Sequence, residues 1–328
     1  MVANVSKSDG SPTVLTVLLN WRTPEMTLRA ANAAEAAMAG IAGSITVVDN
    51  DSGDGSFQMM QAALQDRPRF RVVQSGHNGG FGAGNNFGIR LALPDGSRPD
   101  FVYILNSDAF PAPDAIQRLL DYLQAHPKVG LAGSYIHGTD GEPHVTCFRF
   151  PSVMSEFESA ARTGPISRLL ARYIVAIGVP DQSGRVDWLA GASLMLREEV
   201  VQTVGIFDET FFLYFEETDL CRRAAQAGWA THFVRESRVE HIGSVSTGMK
   251  NWKRVPGYWF DSRWTYFRKA GGTIRAVTAT LAHLAGAAIL GLRRRVQRSL
   301  PDGPPHFKRD LVRHALRQLT RPTAAKRD

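Results

Sequence analysis

The chain has little cysteine and no sign of an export signal. Its 328 residues include only two cysteines, Cys147 and Cys221, which are too few for a disulfide framework or a four-thiolate zinc site. This small number fits a reducing compartment. The opening residues, MVANVSKSDGSPT, lack the apolar core of a signal peptide, so we do not expect export. With 44% hydrophobic and 21% charged residues, wholesale disorder, collagen-like structure and a coiled coil are also excluded.

Two common nucleotide-binding motifs are missing as well. The glycine-rich run at 76–88, GHNGGFGAGNNFG, lacks G-x-G-x-x-G, because Asn85 stands where the third glycine would follow Gly80 and Gly82. No G-x-x-x-x-G-K-[ST] occurs either, which argues against dinucleotide oxidoreductases and P-loop enzymes. The amides of Asn78, Asn85 and Asn86 both donate and accept hydrogen bonds, so they suit sugar hydroxyls or a ribose. The alternative is a surface turn that opens a short helix.

Charge is divided unevenly along the chain. Residues 1–249 contain 20 Lys/Arg and 27 Asp/Glu, whereas residues 250–328 contain 18 and 4. A basic tail on a mildly acidic body indicates an anionic partner, either a membrane surface or a nucleic acid. Within the tail, residues 276–292 carry no formal charge and are followed by four arginines. This run is short of the ~20 residues of a spanning helix. We favour an interfacial helix over a membrane span or a helix packed on the protein.

Apolar runs alternate with helical stretches in the first hundred residues. Strands are predicted at 13–20, 44–50, 69–74 and 101–106, and this β–α–β spacing is typical of a parallel sheet covered by helices. Ligands bind beyond the carboxyl ends of such strands. Those ends have polar residues: Asn20, Asp49, Asn50, Gln74, Asn106, Ser107 and Asp108. Further strands are predicted at 129–136, 144–150, 186–197 and 230–243, with a helix late in 207–229 and a helical tail from 257.

Three groups of residues could carry chemistry. Asn106 and Asp108 are two residues apart after a strand, so both can face one site and hold Mg²⁺ or Mn²⁺; an ordinary cap or turn is the alternative. The segment FEETDL at 215–220 opens a helix with Glu216, Glu217 and Asp219, and a carboxylate there could be a general base or a simple helix cap. His241 could be a metal ligand or a proton acceptor, although a lone histidine is more often structural.

Seven motifs in order resemble inverting glycosyltransferases of family 2, and more narrowly their bacterial rhamnosyltransferase-like branch. They are VLLNWRTPE, VVDNDSGDGS, GHNGGFGAGNNFGIR, YILNSDAF, WLAGASLMLREEV, GIFDETFFLYFEETDLCRRAAQAGW and VEHIGSVST, within about residues 13–270. The resemblance implies an α/β GT-A fold, with a Rossmann-like, mostly parallel central sheet, flanking helices and a basic C-terminal helical tail. We expect a disordered 1–12, a transferase domain at 13–256 and the tail at 257–328. The domain would divide into a nucleotide-sugar half, 13–110, and an acceptor half, 111–256.

The resemblance also assigns roles to residues. Glu217 matches the catalytic base, where Glu replaces the more frequent Asp. Asp108 and His241 match metal ligands, and Asn106 replaces the first acid of the metal-binding D-x-D. The donor-binding positions are Asn20, Trp21, Asp49, Asn78, Gly80, Phe81, Asn86, Asn106 and Ser107. The acceptor-binding positions are Trp188, Gly191, Ala192 and Glu216.

The implied activity is transfer of a sugar from a nucleotide-sugar donor, with L-rhamnose from dTDP-rhamnose as the first choice. The acceptor would be a hydroxyl of a saccharide or lipid-linked saccharide in bacterial cell-surface polysaccharide synthesis, and the cofactor a divalent metal, Mg²⁺ or Mn²⁺. We expect a cytoplasmic enzyme, peripheral on the anionic cytoplasmic face of the inner membrane, with no nucleic-acid partner.

Three alternative functions compete with glycosyl transfer. A sugar-1-phosphate nucleotidyltransferase would need a glycine-rich basic loop after the first strand, where this chain has only Arg22. A nucleic-acid binder would need aromatic residues among the tail's basic ones, and Phe307 alone follows Phe267. A catalytically inactive scaffold would explain Asn106 and Glu217 as departures from the family pattern.

Overall fold

The computed structural model describes residues 10–243, 252–298 and 304–320. Residues 1–9 of the predicted disordered segment and 244–247 of the motif VEHIGSVST lie outside these ranges. The strands are β1 (Thr13–Asn20), β2 (Ala42–Asp49), β3 (Phe70–Gln74), β4 (Phe101–Asn106), β5 (Ala109–Pro111), β6 (Val129–His137), β7 (Cys147–Phe148), β8 (Gly184–Val186), β9 (Trp188–Leu189), β10 (Ser193–Arg197) and β11 (Ala230–His241). The helices are α1 (Pro24–Ala37), α2 (Ser56–Leu64), α3 (Gly80–Arg90), α4 (Ala115–Ala125), α5 (Val153–Ala161), α6 (Gly164–Leu169), α7 (Glu198–Val204), α8 (Glu216–Gln226), α9 (Gly257–Gln297) and α10 (Phe307–Thr320).

One central sheet organises the first part of the chain. Its strand order is β3-β2-β1-β4-β10-β6-β11-β5, and β8 pairs with β11. The strands β3, β2, β1 and β4 are parallel, as are β6 and β11, whereas β10 runs antiparallel between β4 and β6. This mixed α/β sheet, mostly parallel, confirms the predicted fold class.

The two faces of the sheet are buried by different helices. Along β1, Val14 and Leu18 face one apolar cluster, while Leu15 and Val17 face the other, as alternation along a strand requires. The first cluster contains buried residues of α1, α2 and α4, and the second contains those of α3, α7 and α8. A strand buried on both faces needs an unbroken apolar run, which is why TVLTVLL could be predicted as a strand.

Strand register brings the polar strand ends together. Asn20 pairs with Asp49, which pairs in turn with Gln74, while Leu19 pairs with Asn106. The strand order reverses between β1 and β4, since β2 and β3 lie on one side of β1 and β4 on the other. Ligands of open α/β sheets bind at such a reversal, beyond the carboxyl ends of the strands. The fold therefore places the predicted donor residues at the edge where a ligand would bind.

Three predicted elements differ in extent from the structure. The single strand expected at 186–197 is three short strands, β8, β9 and β10, and the strand expected at 144–150 shrinks to β7, which pairs with β9 in a small separate sheet. The glycine-rich run is a turn that leads into a helix, as predicted, but the turn ends at Gly79 and α3 includes most of the run.

The described residues fall into two compact units. One contains residues 10–150 and 176–243, and the other contains 151–175 with the described residues from 252 onward. The expected boundary at 256/257 assigned 151–175 to the transferase domain, whereas the structure groups them with the C-terminal helices. In this second unit α9 has a kink at Gly271 and Gly272. Among the described residues, α9 is the one helix whose length and composition would allow it to cross a membrane.

Candidate active site

The end of β1 and β2 forms a closed polar network around Asp49. Its Oδ1 accepts hydrogen bonds from Asn20 Nδ2 at 2.8 Å and Ser52 Oγ at 2.6 Å, and its Oδ2 accepts from the Ser52 amide at 3.2 Å. Asn20 Oδ1 in turn accepts from Thr27 Oγ1 at 2.7 Å. Asn20 and Asp49 are fully buried. Both predicted donor residues thus brace the strand ends, and half-buried Trp21 lies next to them with the Arg22 guanidinium over its ring.

The predicted donor residues at the start of α3 hold the backbone in place. Asn78 Oδ1 accepts from the Gly80 amide and from Asn50 Nδ2, both at 3.0 Å, so it caps the first turn. The Phe81 amide donates to the Phe212 carbonyl at 3.0 Å. Gly80 has a φ of +89°, and a Cβ there would collide with the same carbonyl. Only glycine allows this contact between α3 and the loop before α8.

The structure gives Asn86 a different role from the donor contact predicted for it. Its side chain is fully buried, with Nδ2 donating to the Phe207 carbonyl at 2.8 Å and to Glu209 at 2.9 Å. Its Oδ1 accepts from the Phe207 amide at 3.0 Å. The nitrogen and the oxygen of the Asn86 side-chain amide both form hydrogen bonds with the loop at 207–209. We therefore infer that Asn86 positions this loop.

Asp108 and His241, 133 residues apart, meet at the end of β4. The antiparallel pairing of β5 with β11 sets His241 opposite Ala109, and His241 Nε2 lies 3.1 Å from Asp108 Oδ1. The backbone is locked here too, because the Ile242 amide donates to the Asp108 carbonyl at 3.1 Å. The neighbouring Ser107 is buried and accepts a hydrogen bond from Thr23 Oγ1 at 3.3 Å.

The residues present fit a divalent cation. A carboxylate and an imidazole nitrogen converge, and Asn106 adds a buried amide oxygen, Oδ1, for which none of the residues at 10–243, 252–298 and 304–320 supplies a hydrogen-bond donor. Buried oxygens normally have a partner, so an orphan at this position is what a site for a cation or substrate would leave. Within the described ranges no cluster of three His, Cys, Asp or Glu could hold a metal by itself. The fit to a cation therefore rests on the Asp108 carboxylate, the His241 imidazole and the Asn106 amide oxygen.

Glu217 is tied to the same region through the backbone. It lies in the first turn of α8, and its Oε1 accepts the amide hydrogen of Gly191 at 3.0 Å. The next residue, Ala192, uses its carbonyl to accept from the Asn106 amide at 3.1 Å. The predicted base and the predicted metal side are thus connected by Gly191 and Ala192. Tyr214 and Phe215, just before α8, both have a φ of 70°, a left-handed conformation rare for bulky residues.

Burial raises the pKa of both glutamates at the start of α8. Glu216 is only 1% exposed, and its Oε2 has no hydrogen-bond partner in the part of the chain that the structure describes. Burial and then the charge of Glu217 raise its pKa well above 4.5. Burial also raises the pKa of half-buried Glu217, while backbone amides, including that of Gly191, oppose the shift. The first turn of a helix also favours a carboxylate. We infer that Glu216 keeps its proton and Glu217 is the one that ionises.

Of the four predicted acceptor positions, the structure gives three a different place or role. Glu216 is enclosed, and Ala192 is 4% exposed and acts through its backbone, so neither side chain lies free to meet an acceptor. Gly191 supports Glu217. Trp188 remains half-buried, but its indole N–H donates to the Arg149 carbonyl at 2.9 Å and its ring stacks on Phe148. Its role toward an acceptor stays a prediction.

The sequence does not single out Ser52 or His144, and it places Asn50 at a strand end without assigning it a role. Ser52 links Asn20, Asp49 and the Arg22 amide, and Asn50 donates to Asn78 and to the Gly80 carbonyl. The serine–aspartate spacing after β2, an Asx-type turn, was the available signal for Ser52. His144, whose ring centre lies 6.1 Å from that of His241, is 97 positions away and had no local signal.

Comparison with known proteins identifies the family. The family model for glycosyl transferase family 2 matches residues 44–165. N-acetylglucosaminyl-diphospho-decaprenol L-rhamnosyltransferase of Mycobacterium tuberculosis is 32% identical over 214 residues, which cover 62% of this chain and 68% of that protein. The chain belongs to glycosyltransferase family 2. The rhamnosyltransferase WbbL of Escherichia coli is 26% identical to this family 2 glycosyltransferase over 173 residues, 49% of this chain and 60% of that protein.

Solved structures show the same fold for this glycosyltransferase. The mannosyltransferase PcManGT from Pyrobaculum calidifontis, solved with GDP-Man and Mn²⁺, superposes with a TM-score of 0.55 at 14% identity, covering 94% of this chain and 88% of the other. GalNAc-T7 with UDP, GalNAc and Mn²⁺ gives a TM-score of 0.55 at 12% identity, covering 93% and 55%. These distant relatives carry the fold, and each of the two was solved with Mn²⁺.

Proposed function

We propose that this family 2 glycosyltransferase transfers L-rhamnose from dTDP-rhamnose to a hydroxyl of a lipid-linked saccharide, in the synthesis of a bacterial cell-surface polysaccharide. Support comes from the Mycobacterium relative, whose name specifies L-rhamnose and a diphospho-decaprenol carrier. The observation that carries the proposal is the hydrogen bond from the Gly191 amide to Glu217, in a segment that also contacts Asn106.

In this mechanism Glu217 is the general base. Its carboxylate takes the proton from the acceptor hydroxyl as that oxygen attacks the anomeric carbon of the donor. The bond from that carbon to the nucleoside diphosphate breaks in the same step, so a single displacement inverts the anomeric centre. The raised pKa of Glu217 makes it a stronger base than a solvated carboxylate.

Asp108 and His241 would hold a divalent cation, Mg²⁺ or Mn²⁺, with the amide oxygen of Asn106 as a further ligand. When bound, such a cation stabilises the negative charge that grows on the departing diphosphate. Asp49, Asn20 and Ser52 would fix the shape of the nucleoside side, and Trp21, Asn78, Gly80, Phe81 and Ser107 remain the proposed donor positions. The enzyme would work in the cytoplasm.

The base assignment is tested with Glu217→Gln, which keeps the size of the side chain and its place beside Gly191. We expect kcat to fall by ~10²–10⁴, the usual contribution of general-base catalysis, with the donor Kd unchanged. Glu199→Gln, an exposed glutamate in the first turn of α7, is the matched control and should keep wild-type kcat. Wild-type turnover in Glu217→Gln would remove this residue from the role.

The donor and metal assignments are tested by calorimetric titration with dTDP, UDP and GDP sugars, with Mn²⁺ or with a chelator. We expect dTDP-rhamnose to bind most tightly, and Asp108→Ala to lose the metal-dependent part of that affinity, whereas the exposed Asp114→Ala keeps it. Preference for another nucleotide sugar would overturn the sugar assignment but leave the transferase assignment in place. Equal donor affinity in Asp108→Ala and wild type, with Mn²⁺ present, would overturn the metal site.

A further inference from the structure

The helix α9 has two different faces beyond its kink at Gly271 and Gly272. On the inner face the residues are small or polar and buried: Ala276, Ala279, Thr280 and Gly286. A side chain at position 286 would collide with the backbone of α5 at Phe157, so the two helices are in close backbone contact. The inner face is thus shaped to pack on α5, not on lipid.

The polar side chains within residues 276–292 of α9, the run without formal charge, have hydrogen-bond partners in the protein. His283 Nδ1 lies 3.0 Å from Glu156 Oε2 on α5, and Arg263 forms two hydrogen bonds to the same carboxylate, at 3.1 and 2.9 Å. Arg263 also donates to Thr280 Oγ1 at 3.2 Å. Inserting α9 across a bilayer would break this buried cluster and leave its charged members in hydrocarbon. A spanning helix is therefore not compatible with the observed packing.

The opposite face of α9 exposes large apolar side chains. Ile274, Leu281, Leu292 and Val296 are 82%, 59%, 65% and 78% exposed, and Ile289 is exposed as well. Thr278, Ala285 and Ala288, also exposed, fill the positions between them. Apart from the adjacent Ala288 and Ile289, these eight residues follow one another at intervals of three or four. They therefore form one continuous line, which we call the outer stripe. At ~1.5 Å per residue it is about 33 Å long.

Positive charge accompanies the outer stripe. Arg293, Arg295 and Arg298 are exposed at its C-terminal end. Helix α10 repeats the pattern, because its exposed Val312, Leu316 and Leu319 alternate with exposed basic side chains, which are Lys308, Arg309, Arg313 and Arg317. The residues at 151–175, 252–298 and 304–320 together contain 17 Lys/Arg and 4 Asp/Glu.

We propose that the outer stripe is a docking surface for an anionic lipid bilayer, in which α9 lies in the interface plane with its arginines at the headgroups. Large apolar side chains on one face, arginines beside them and a polar inner face satisfied by protein are the features of an interfacial helix. A second copy of the chain fits less well, since it would bring two strongly basic surfaces together. This surface does not depend on the sugar or the base assignment.

The test is co-sedimentation of the full-length protein with vesicles of phosphatidylcholine, alone or mixed with phosphatidylglycerol. Wild type should bind only the mixed vesicles, and less at high salt. The variant L281Q/L292Q/V296Q should lose at least about tenfold in partitioning. Met59→Gln, an exposed apolar residue of α2, is the matched control and should bind like wild type. Nucleotide-sugar titration of each variant, which does not need vesicles, checks that the fold is intact.

Four outcomes would overturn the proposal. Wild type could fail to bind mixed vesicles, or the triple variant could bind as well as wild type. Alternatively, size-exclusion chromatography with light scattering could show a wild-type dimer that the triple variant converts to monomer, which would assign the stripe to self-association. A wash at alkaline pH should release bound wild type from the vesicles, and retention would instead indicate a membrane span. None of these outcomes bears on sugar transfer.

Discussion

At the scale of single residues, Glu217 owes its position to a glycine. The Gly191 amide donates to Glu217 Oε1, and a Cβ at position 191 would lie 2.6 Å from that oxygen. A carboxylate that is half-buried at a helix N-terminus is thus held by a backbone amide, and a Cβ at position 191 would force the side chain of Glu217 to shift. Gly191 is a positioning residue, although the family resemblance had placed it beside the acceptor.

Replacing Gly191 with alanine should displace the base without removing it. We expect Gly191→Ala to lower kcat about 10²-fold, the scale of a displacement of about 1 Å in a catalytic group, while the donor Kd stays near wild type. Steady-state kinetics and donor titration measure the two effects separately. Gly184→Ala is the control, because a Cβ there meets nothing within 4 Å. An equal loss in both variants would contradict a specific role for Gly191.

Glu216 should make stability depend on pH. Its folded pKa is raised above the ordinary 4.5 by burial, so above pH 4.5 the unfolded chain releases this proton while the folded protein retains it. The stability that protonated Glu216 contributes is fully present below pH 4.5, and it is lost as the pH rises from there toward the folded pKa. Glu216→Gln removes this penalty, and its gain in Tm should therefore be larger at pH 8 than at pH 4.5. An equal shift in Tm at the two values would argue against a protonated Glu216.

At the scale of elements, α3 shows packing overruling local preference. Four of its eleven residues are glycines, each costing about 1 kcal/mol relative to alanine in a helix, so the sequence favoured a turn. The glycines let the helix lie directly on β1 and β2: a Cβ at Gly88 would lie 2.7 Å from Val17 and 3.0 Å from Val48. The helix forms because close contact with the sheet outweighs its poor propensity.

Two glycine-to-alanine changes in helices should therefore have opposite signs. Gly88→Ala should destabilise the protein by about 1–3 kcal/mol, as overpacking of a core does. Gly291→Ala in α9, where a Cβ meets nothing within 4 Å, should stabilise it by about 0.5–1 kcal/mol through helix propensity. Urea unfolding of both variants gives the comparison. If Gly88→Ala were also stabilising, the close contact of α3 with the sheet would be in doubt.

At the scale of the whole molecule, the chain is not a catalytic domain followed by an independent tail. Residues 151–175 leave the first unit and join the C-terminal helices, where α5 packs on α9 and Glu156 pairs with Arg263. The C-terminal helices are thus part of the folded protein, which agrees with a surface that docks but does not span.

Truncation after residue 250 should therefore be damaging. It removes the helix that packs on α5 and leaves Glu156 without Arg263 and His283, so we expect loss of soluble protein or aggregation on size-exclusion chromatography. Truncation after residue 298 retains α9 and should remain soluble to a greater extent. Equal solubility of the shorter form and wild type would show that α5 does not need α9.

The sequence alone was sufficient to predict a central sheet with helices around it and to indicate the family. Strands such as TVLTVLL and FVYIL are buried on both faces, so their apolar runs stand out, and the polar residues that follow them lie where parallel strands must end. These features depend on neighbours along the chain, and a sequence records neighbours directly.

Contacts between distant residues were decided only by the tertiary structure. The pairing of β5 with β11 brings His241 to Asp108 across 133 residues, and close packing makes Gly191 a support for Glu217 and Asn86 a tether for residues 207–209. The same applies to α9, whose uncharged run has one face for α5 and another that is exposed. Such roles depend on what packs against a residue, and no local pattern contains that information.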